Sequence, residues 1–186
     1  MSIYQTVDSP VGELLLVGEP TRDGVALTSV SMTGQRNIPQ PEGQRAPAAF
    51  AEAARQLEAY FAGELTTFDL PLMANGTPFQ QRIWQALDSV PYGTTTTYAE
   101  LAVQLGVPRD RVVALGAAVG ANPLLIIRPC HRVIGSDGTM RGYAGGVERK
   151  QWLLAHEGVL LAGIRTAGTS RRPSCVPRSA APRTTP

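Results

Sequence analysis

Cysteine and histidine are scarce: the 186 residues hold two of each, and the N-terminal third holds none. Two cysteines, Cys130 and Cys175, cannot make a disulfide framework, and an N-terminal third without Cys or His cannot build a soft metal site. No run of about 18 apolar residues occurs and the N-terminus lacks a basic-then-apolar leader, so neither membrane insertion nor secretion is indicated. The expectation is a cytoplasmic globular protein in which Cys130 is a free thiol. A hydrophobic fraction of 43% suffices for the core of one or two small domains. Strong charge is missing too, but the net +2 is unevenly spread: residues 1–76 carry four basic and nine acidic side chains, 77–167 nine and six, and 168–186 four arginines and no acid. The cationic part contains Cys130. That permits an anionic partner and does not establish one.

Along the chain, residues 3–17 predict two short strands about a Ser-Pro-Val-Gly turn, 25–32 a third, and 35–47 a loop. Ala48, Phe50, Ala54, Leu57, Tyr60 and Phe61 predict an amphipathic helix over 47–62, stopped by Gly63. Residues 1–70 therefore form an N-terminal α+β domain, and 71–77 a connector. Thr77-Pro78 starts a second helix, a hydroxyl cap followed by proline, ending near Val90-Pro91. Two further helices, one from about Tyr98 to Gly106 and one over 109–120, have helix-turn-helix spacing. Ala114, Gly116, Ala117, Ala118 and Gly120 leave the second of these almost without side chains. Each mid-helix glycine costs about 1 kcal/mol against alanine, so close approach of another backbone is expected, either a neighbouring element or a nucleic-acid groove. Leu124–Ile127 predicts a buried strand leading to Pro129-Cys130-His131-Arg132, and a last helix covers 147–157. The C-terminal unit spans 78–165, and 166–186 is a disordered basic tail in which Cys175 has no assigned role.

A cysteine is a useful nucleophile as its thiolate, which a neighbouring base or positive charge favours. His131 and Arg132 adjoin Cys130. In an extended segment adjacent side chains point to opposite faces, so a water or a turn has to mediate between Cys130 and His131. Glu157 lies at a helix C-terminus, where the macrodipole disfavours an anion by a few tenths to about 1 kcal/mol. It is either an exposed residue with a small penalty or the carboxylate that orients His131; spacing alone does not choose.

The run Pro129-Cys130-His131-Arg132-Val133-Ile134-Gly135, with Asn122-Pro123 before it and Gly142-Tyr143-Ala144-Gly145-Gly146 and Trp152-Leu153-Leu154-Ala155-His156-Glu157-Gly158 after it, resembles the O6-alkylguanine-DNA alkyltransferases. The resemblance is close over about 77–160 and looser over the N-terminal unit. It implies a ribonuclease-H-like α/β domain followed by a mainly helical domain with a helix-turn-helix. It also implies direct reversal of DNA damage: a lesion-bearing guanine leaves the stack, and Cys130 takes the alkyl group from O6, or from O4 of thymine, once and without a cofactor or metal. By the same resemblance His131 removes the thiol proton through a water, Glu157 holds the imidazole, and Asn122 braces the turn. Tyr98 sits by the flipped nucleotide, and Val133, Tyr143 and Ala144 line the pocket. Thr97, Arg109, Arg111, Val113, Ala114, Ala117 and Gly120 are the expected contacts to the minor groove of double-stranded DNA, where small residues allow sequence-blind binding. A monomer that can cluster on DNA is expected.

Two positions depart from the family's pattern. Its usual base-displacing arginine is replaced by Val113 or Val112 according to the anchor used for alignment, with Arg111 the nearest substitute or Val113 an apolar wedge. An arginine, Arg128, precedes the Pro-Cys-His core; it either lowers the Cys130 pKa, lies on the surface, or pairs with a carboxylate. Three rivals have distinct signatures: a helix-turn-helix regulator would bind sequence-selectively, a cysteine hydrolase would turn over, and a lesion-sensing alkyltransferase-like protein would lack the cysteine.

Overall fold

Alternation sets the N-terminal sheet of the computed structural model, which describes residues 1–35, 38, 43–140 and 142–159. Leu14 and Leu16 of β2 (Leu14–Thr21) point into the core while Leu15 and Val17, which alternate with them, are half-buried. β2 pairs antiparallel with β1 (Ile3–Val7) and with β3 (Gly24–Met32), and β4 (Gln44–Arg45) adds in parallel to β1, giving the order β3-β2-β1-β4. A 3₁₀ turn over Pro47–Phe50 runs into α1 (Ala51–Phe61), whose Ala53, Leu57 and Tyr60 are buried. This is the predicted α+β unit. The tail expected to be disordered and Cys175 lie outside the described residues, as does part of the 35–47 loop.

The connector is attached to the sheet. Leu27 N–H donates to Pro71 O at 2.8 Å and Met73 N–H to Leu27 O at 2.8 Å, so Leu72 bridges the outer edge of β3. Further along the same edge Val30 exchanges hydrogen bonds with Pro123 O (2.8 Å) and Leu125 N–H (3.1 Å). The connector and a segment of the C-terminal unit thus cover an edge that would otherwise present unpaired backbone.

The helices begin where hydroxyl caps stand. Thr77 and Gln80 form a reciprocal capping box at α2 (Pro78–Leu87), and Thr97 and Glu100 another at α3 (Tyr98–Gln104). Gly106, with φ 60°, turns the chain out of α3. A 3₁₀ turn over Arg109–Arg111 then enters α4 (Val112–Gly120), completing the helix-turn-helix. Trp84 of α2 is buried and donates Nε1–H to Ala118 O at 2.8 Å, holding α4 on the core. One continuous apolar cluster runs from Leu14 and Phe50 through Trp84 and Leu115 to Leu153.

The predicted strand at Leu124–Ile127 is not one. Leu124 makes a single bridge to Val30, and residues 125–127 turn, with Ile126 at φ 71°. The apolar run reflects burial on all sides, not extension, since all four residues are 8% exposed or less. A β-branched residue in the left-handed region is strained. Instead of a long strand, β6 (Val133–Ile134) follows Cys130 and pairs in parallel with β5 (Thr96–Thr97), setting the start of α3 beside the residues that follow the cysteine. α5 (Val147–His156) closes the chain against this turn.

Candidate active site

Asn122 organises the turn that carries Cys130. Its Nδ2 lies 3.3 Å from Leu124 O, 3.1 Å from Arg128 O and 3.2 Å from Cys130 Sγ, while its Oδ1 accepts Leu124 N–H at 3.1 Å. A buried amide tied to four points over-determines the loop, which accounts for the persistence of the strained Ile126. Cys130–Arg132 is one turn of 3₁₀ helix rather than extended chain, so the opposite-face geometry expected for Cys130 and His131 does not apply.

His131 is fully buried, and its Nε2 is 2.8 Å from Glu157 Oε1. An ionised carboxylate only accepts, so Nε2 carries the proton and Nδ1 the lone pair. Nδ1 is buried and has no hydrogen-bond partner among the described residues. Burial holds His131 below the usual imidazole pKa against the opposing pull of Glu157, keeping it a neutral base.

Glu157 is the C-cap of α5 and only 4% exposed, so the surface alternative is excluded. Besides His131 it accepts Arg132 Nε–H at 2.8 Å, Arg132 Nη2–H at 3.0 Å, Tyr60 O–H at 2.7 Å and Gly93 N–H at 3.3 Å. Burial pushes this carboxyl upward, but the hydrogen bonds from His131 and Arg132 prevail and hold it at about 2. The helix-end penalty that made Glu157 look costly is offset by these five donors. Arg132 is completed by Nη1–H to Val90 O at 2.6 Å and by the Tyr92 ring, 5.7 Å from its guanidinium carbon.

Cys130 itself does not have the lowered pKa that its cationic neighbours in sequence suggested. Burial pushes the thiol up, and hydrogen bonding to Asn122 and the charge of Lys150 only partly oppose this. Arg128 contributes to neither. It is buried and pairs with Asp88, Nε to Oδ1 3.2 Å, so the carboxylate alternative is the one realised and the surface and thiol-tuning alternatives are not. Lys150, which sequence reasoning passed over, is fully buried on α5 and donates to Val133 O at 2.5 Å; burial pulls its ammonium down to about 8. Tyr60 and Arg132 were also missed as partners of Glu157. Only a tyrosine on an apolar helix face and an arginine within the Pro-Cys-His-Arg run marked them.

A cleft of about 740 Å³ opens between α4, Tyr98, the Gly135–Asp137 turn and the glycine-rich loop, walled by Val113, Gly116, Gly120, Tyr143 and Ala144 among others; Cys130 and His131 are not in its wall. Tyr98 and Ala144 are half-buried, and Val133 and Tyr143 are buried. Thr97 caps α3, and Arg109, Arg111, Ala114, Ala117 and Gly120 are exposed. Val113 is 85% exposed at the cleft rim, Val112 also lines the cleft while packing on the core, and Arg111 is not in the cleft wall. The α4 glycines serve no internal contact: a Cβ at Gly120 would meet nothing within 4 Å, and one at Gly116 only the Tyr98 ring at 3.9 Å. A neighbouring element therefore does not explain the bare face.

Family models match almost all of the described chain. The 6-O-methylguanine DNA methyltransferase DNA binding domain matches residues 78–159, and the ribonuclease-like domain of the same methyltransferase matches residues 2–74. A methylated-DNA–protein-cysteine methyltransferase of Mycolicibacterium paratuberculosis is 52% identical over 155 residues, covering 83% of this chain and 91% of that protein. One of Methanosarcina acetivorans is 45% identical over 156 residues, covering 83% and 97%. The crystal structure of Mycobacterium tuberculosis OGT in complex with DNA superposes with a TM-score of 0.78 at 48% identity, covering 84% of this chain and 93% of that one. The thiol, imidazole and carboxylate constellation and both domains accord with these matches, and the chain belongs to the 6-O-methylguanine DNA methyltransferase family.

Proposed function

We propose that this chain repairs DNA by direct reversal, transferring an alkyl group from O6 of guanine to Cys130 in a single-turnover reaction. The observation that carries the reading is a buried thiol held by Asn122 next to a neutral histidine whose far nitrogen is fixed by Glu157. The thiol proton passes through a water to His131 Nδ1. The sulfur then attacks the alkyl carbon: an S–C bond forms, the C–O6 bond breaks, and guanine leaves with the electron pair. Tyr98, a half-buried hydroxyl at the cleft wall, donates a hydrogen bond or proton to the departing base. The new thioether has no easy hydrolytic exit, so each molecule acts once.

The duplex docks on α4 through its minor groove. The exposed small residues Ala114, Ala117 and Gly120 admit the backbone closely, Thr97, Arg109 and Arg111 face phosphates, and the extrahelical base enters the cleft past Val113. Val113 takes the place of the base-displacing arginine as an apolar wedge. Tyr143 and Ala144 shape the pocket around the base, while Val133 is fully buried and not in the cleft wall. The chain acts as a cytoplasmic monomer, with residues 1–70 and 78–165 as its two domains, and among the described residues no helix is long and apolar enough to cross a membrane.

Intact-mass measurement after incubation with O6-methylguanine duplex tests the reading. One added methyl, absent in Cys130→Ser, is expected. Repeated turnover, or no mass gain with wild type, overturns it.

A further inference from the structure

Among the described residues three buried side-chain atoms have no hydrogen-bond partner: Arg128 Nη1, on the arginine that pairs with Asp88, His131 Nδ1, which the reaction uses, and the hydroxyl of Tyr143. A phenol left unpaired in an interior costs about 1–3 kcal/mol, and Tyr143 is only 8% exposed. A pocket wall needs just its ring, so the hydroxyl calls for its own explanation.

The ring is fixed in place. It meets His131 edge to face, with 6.4 Å between centroids. Gly145 pins its other side: a Cβ there would come within 2.7 Å of Tyr143 Cε1 and 2.5 Å of Met32 Sδ, so only glycine allows the backbone so near. The hydroxyl oxygen itself is buried, so it faces the interior and not the open cleft. Burial and the nearby Cys130 keep the phenol protonated, and it can only donate to a developing anion. Around Cys130 the titratable and charged groups are His131 from its own turn, Lys150 from α5, Tyr98 from α3 and Tyr143 from the glycine-rich loop. Glu157, Arg132 and Tyr60 act behind His131.

We propose that Tyr143 is a positioning residue for thiolate formation, its hydroxyl and His131 Nδ1 together holding one water against Cys130 Sγ. The hydroxyl and the thiol S–H both donate to the water oxygen, and the water donates one hydrogen to Nδ1; once the thiolate forms, the water's other hydrogen points to sulfur. When the thiol ionises, its proton goes to the water and a water proton goes to Nδ1, so one proton moves from sulfur to nitrogen and the water is regenerated. The Tyr143 donor then favours the anionic side of that exchange. This deepens the reading of Cys130 as alkyl acceptor and rests on it, but the test does not.

In a Cys175→Ser background, Cys130 is titrated by thiolate absorbance and by the pH dependence of its reaction with iodoacetamide, with Tyr143 intact and as Tyr143→Phe. Loss of a hydrogen bond to the anionic side is expected to raise the midpoint by roughly one pH unit, a tenfold lower rate at neutral pH. Rates at high pH should converge. An unchanged midpoint, or an equal loss at every pH, overturns the proposal. If the Phe variant does not fold, 3-fluorotyrosine placed at position 143, a stronger donor of nearly the same shape, is expected to lower the midpoint, and an unmoved one overturns it. Failure of wild type to gain a methyl from damaged DNA would instead sink the alkyl-transfer reading while leaving the titration result standing.

Discussion

Single side chains decide how this site responds to pH. Glu157 has its carboxyl at about 2 in the fold against 4.5 for the free group, so its stabilisation is fully present above pH 4.5 and is lost as pH falls toward 2. The shift corresponds to about 3 kcal/mol. Acid unfolding should therefore be steeper below pH 4.5 for wild type than for Glu157→Gln. At neutral pH that variant, which strands Arg132 without its countercharge, should be less stable by about 3–5 kcal/mol in urea titrations. His131, held below 6.5, adds an earlier loss, because the unfolded chain takes up a proton below that pH that the folded one refuses. Arg128 gives the opposite kind of expectation. Since it faces Asp88 and not the thiol, Arg128→Val should leave the pH midpoint of Cys130 alkylation where it is. At this scale the sequence carried Cys130, His131, Glu157 and Asn122, because their types and spacing are chemically restrictive. It did not carry the direction of the Cys130 shift, since burial depends on every surrounding element and adjacency in sequence says only which charges are near.

Helix α4 sets ease of packing against use. Gly116 and Gly120 lower its helical propensity and have no side chain or backbone close enough to require them. Gly116→Ala is thus expected to raise stability by up to about 1 kcal/mol in thermal or urea unfolding. Filling the exposed face should instead act on DNA alone: Ala117→Glu is expected to abolish repair of duplex substrate while the reaction with free O6-benzylguanine continues at the wild-type rate. Equal loss on both would place the face outside the DNA contact. Val113 belongs to the same test, and Val113→Ser should slow duplex repair at least fivefold and leave the free base unaffected. The helix-turn-helix was legible from caps and glycine stops, which act within a few residues. Leu124–Ile127 was misread because a run buried on all sides looks the same whether it extends or turns, and the Asn122 clamp that turns it is a side-chain contact without a periodic signature.

Over the whole molecule the two domains share one buried carboxylate. Tyr60, on α1 of the N-terminal domain, donates to Glu157 across 97 positions of sequence, and His156 Nε2 stands 2.8 Å from Tyr60 O. Tyr60→Phe keeps the ring and its packing on Phe68 and Tyr92 but removes a donor from the anion. Glu157 then binds the imidazolium more strongly, so the His131 pKa should rise, measurable by NMR titration, with a stability loss of about 1.5–3 kcal/mol. No local pattern announces such a link, and sequence reading accordingly named no site residue in the N-terminal unit.

The two segments fastened along the edge of β3 also place the chemistry in time. Pro123–Leu125 cannot find its position until β3 exists to receive it, and the Asn122 clamp and Cys130 follow from that position. Contacts this distant in sequence are slow to form. All four strands of the sheet are synthesised before the cysteine, so the edge that receives Pro123–Leu125 precedes the reactive thiol in the chain.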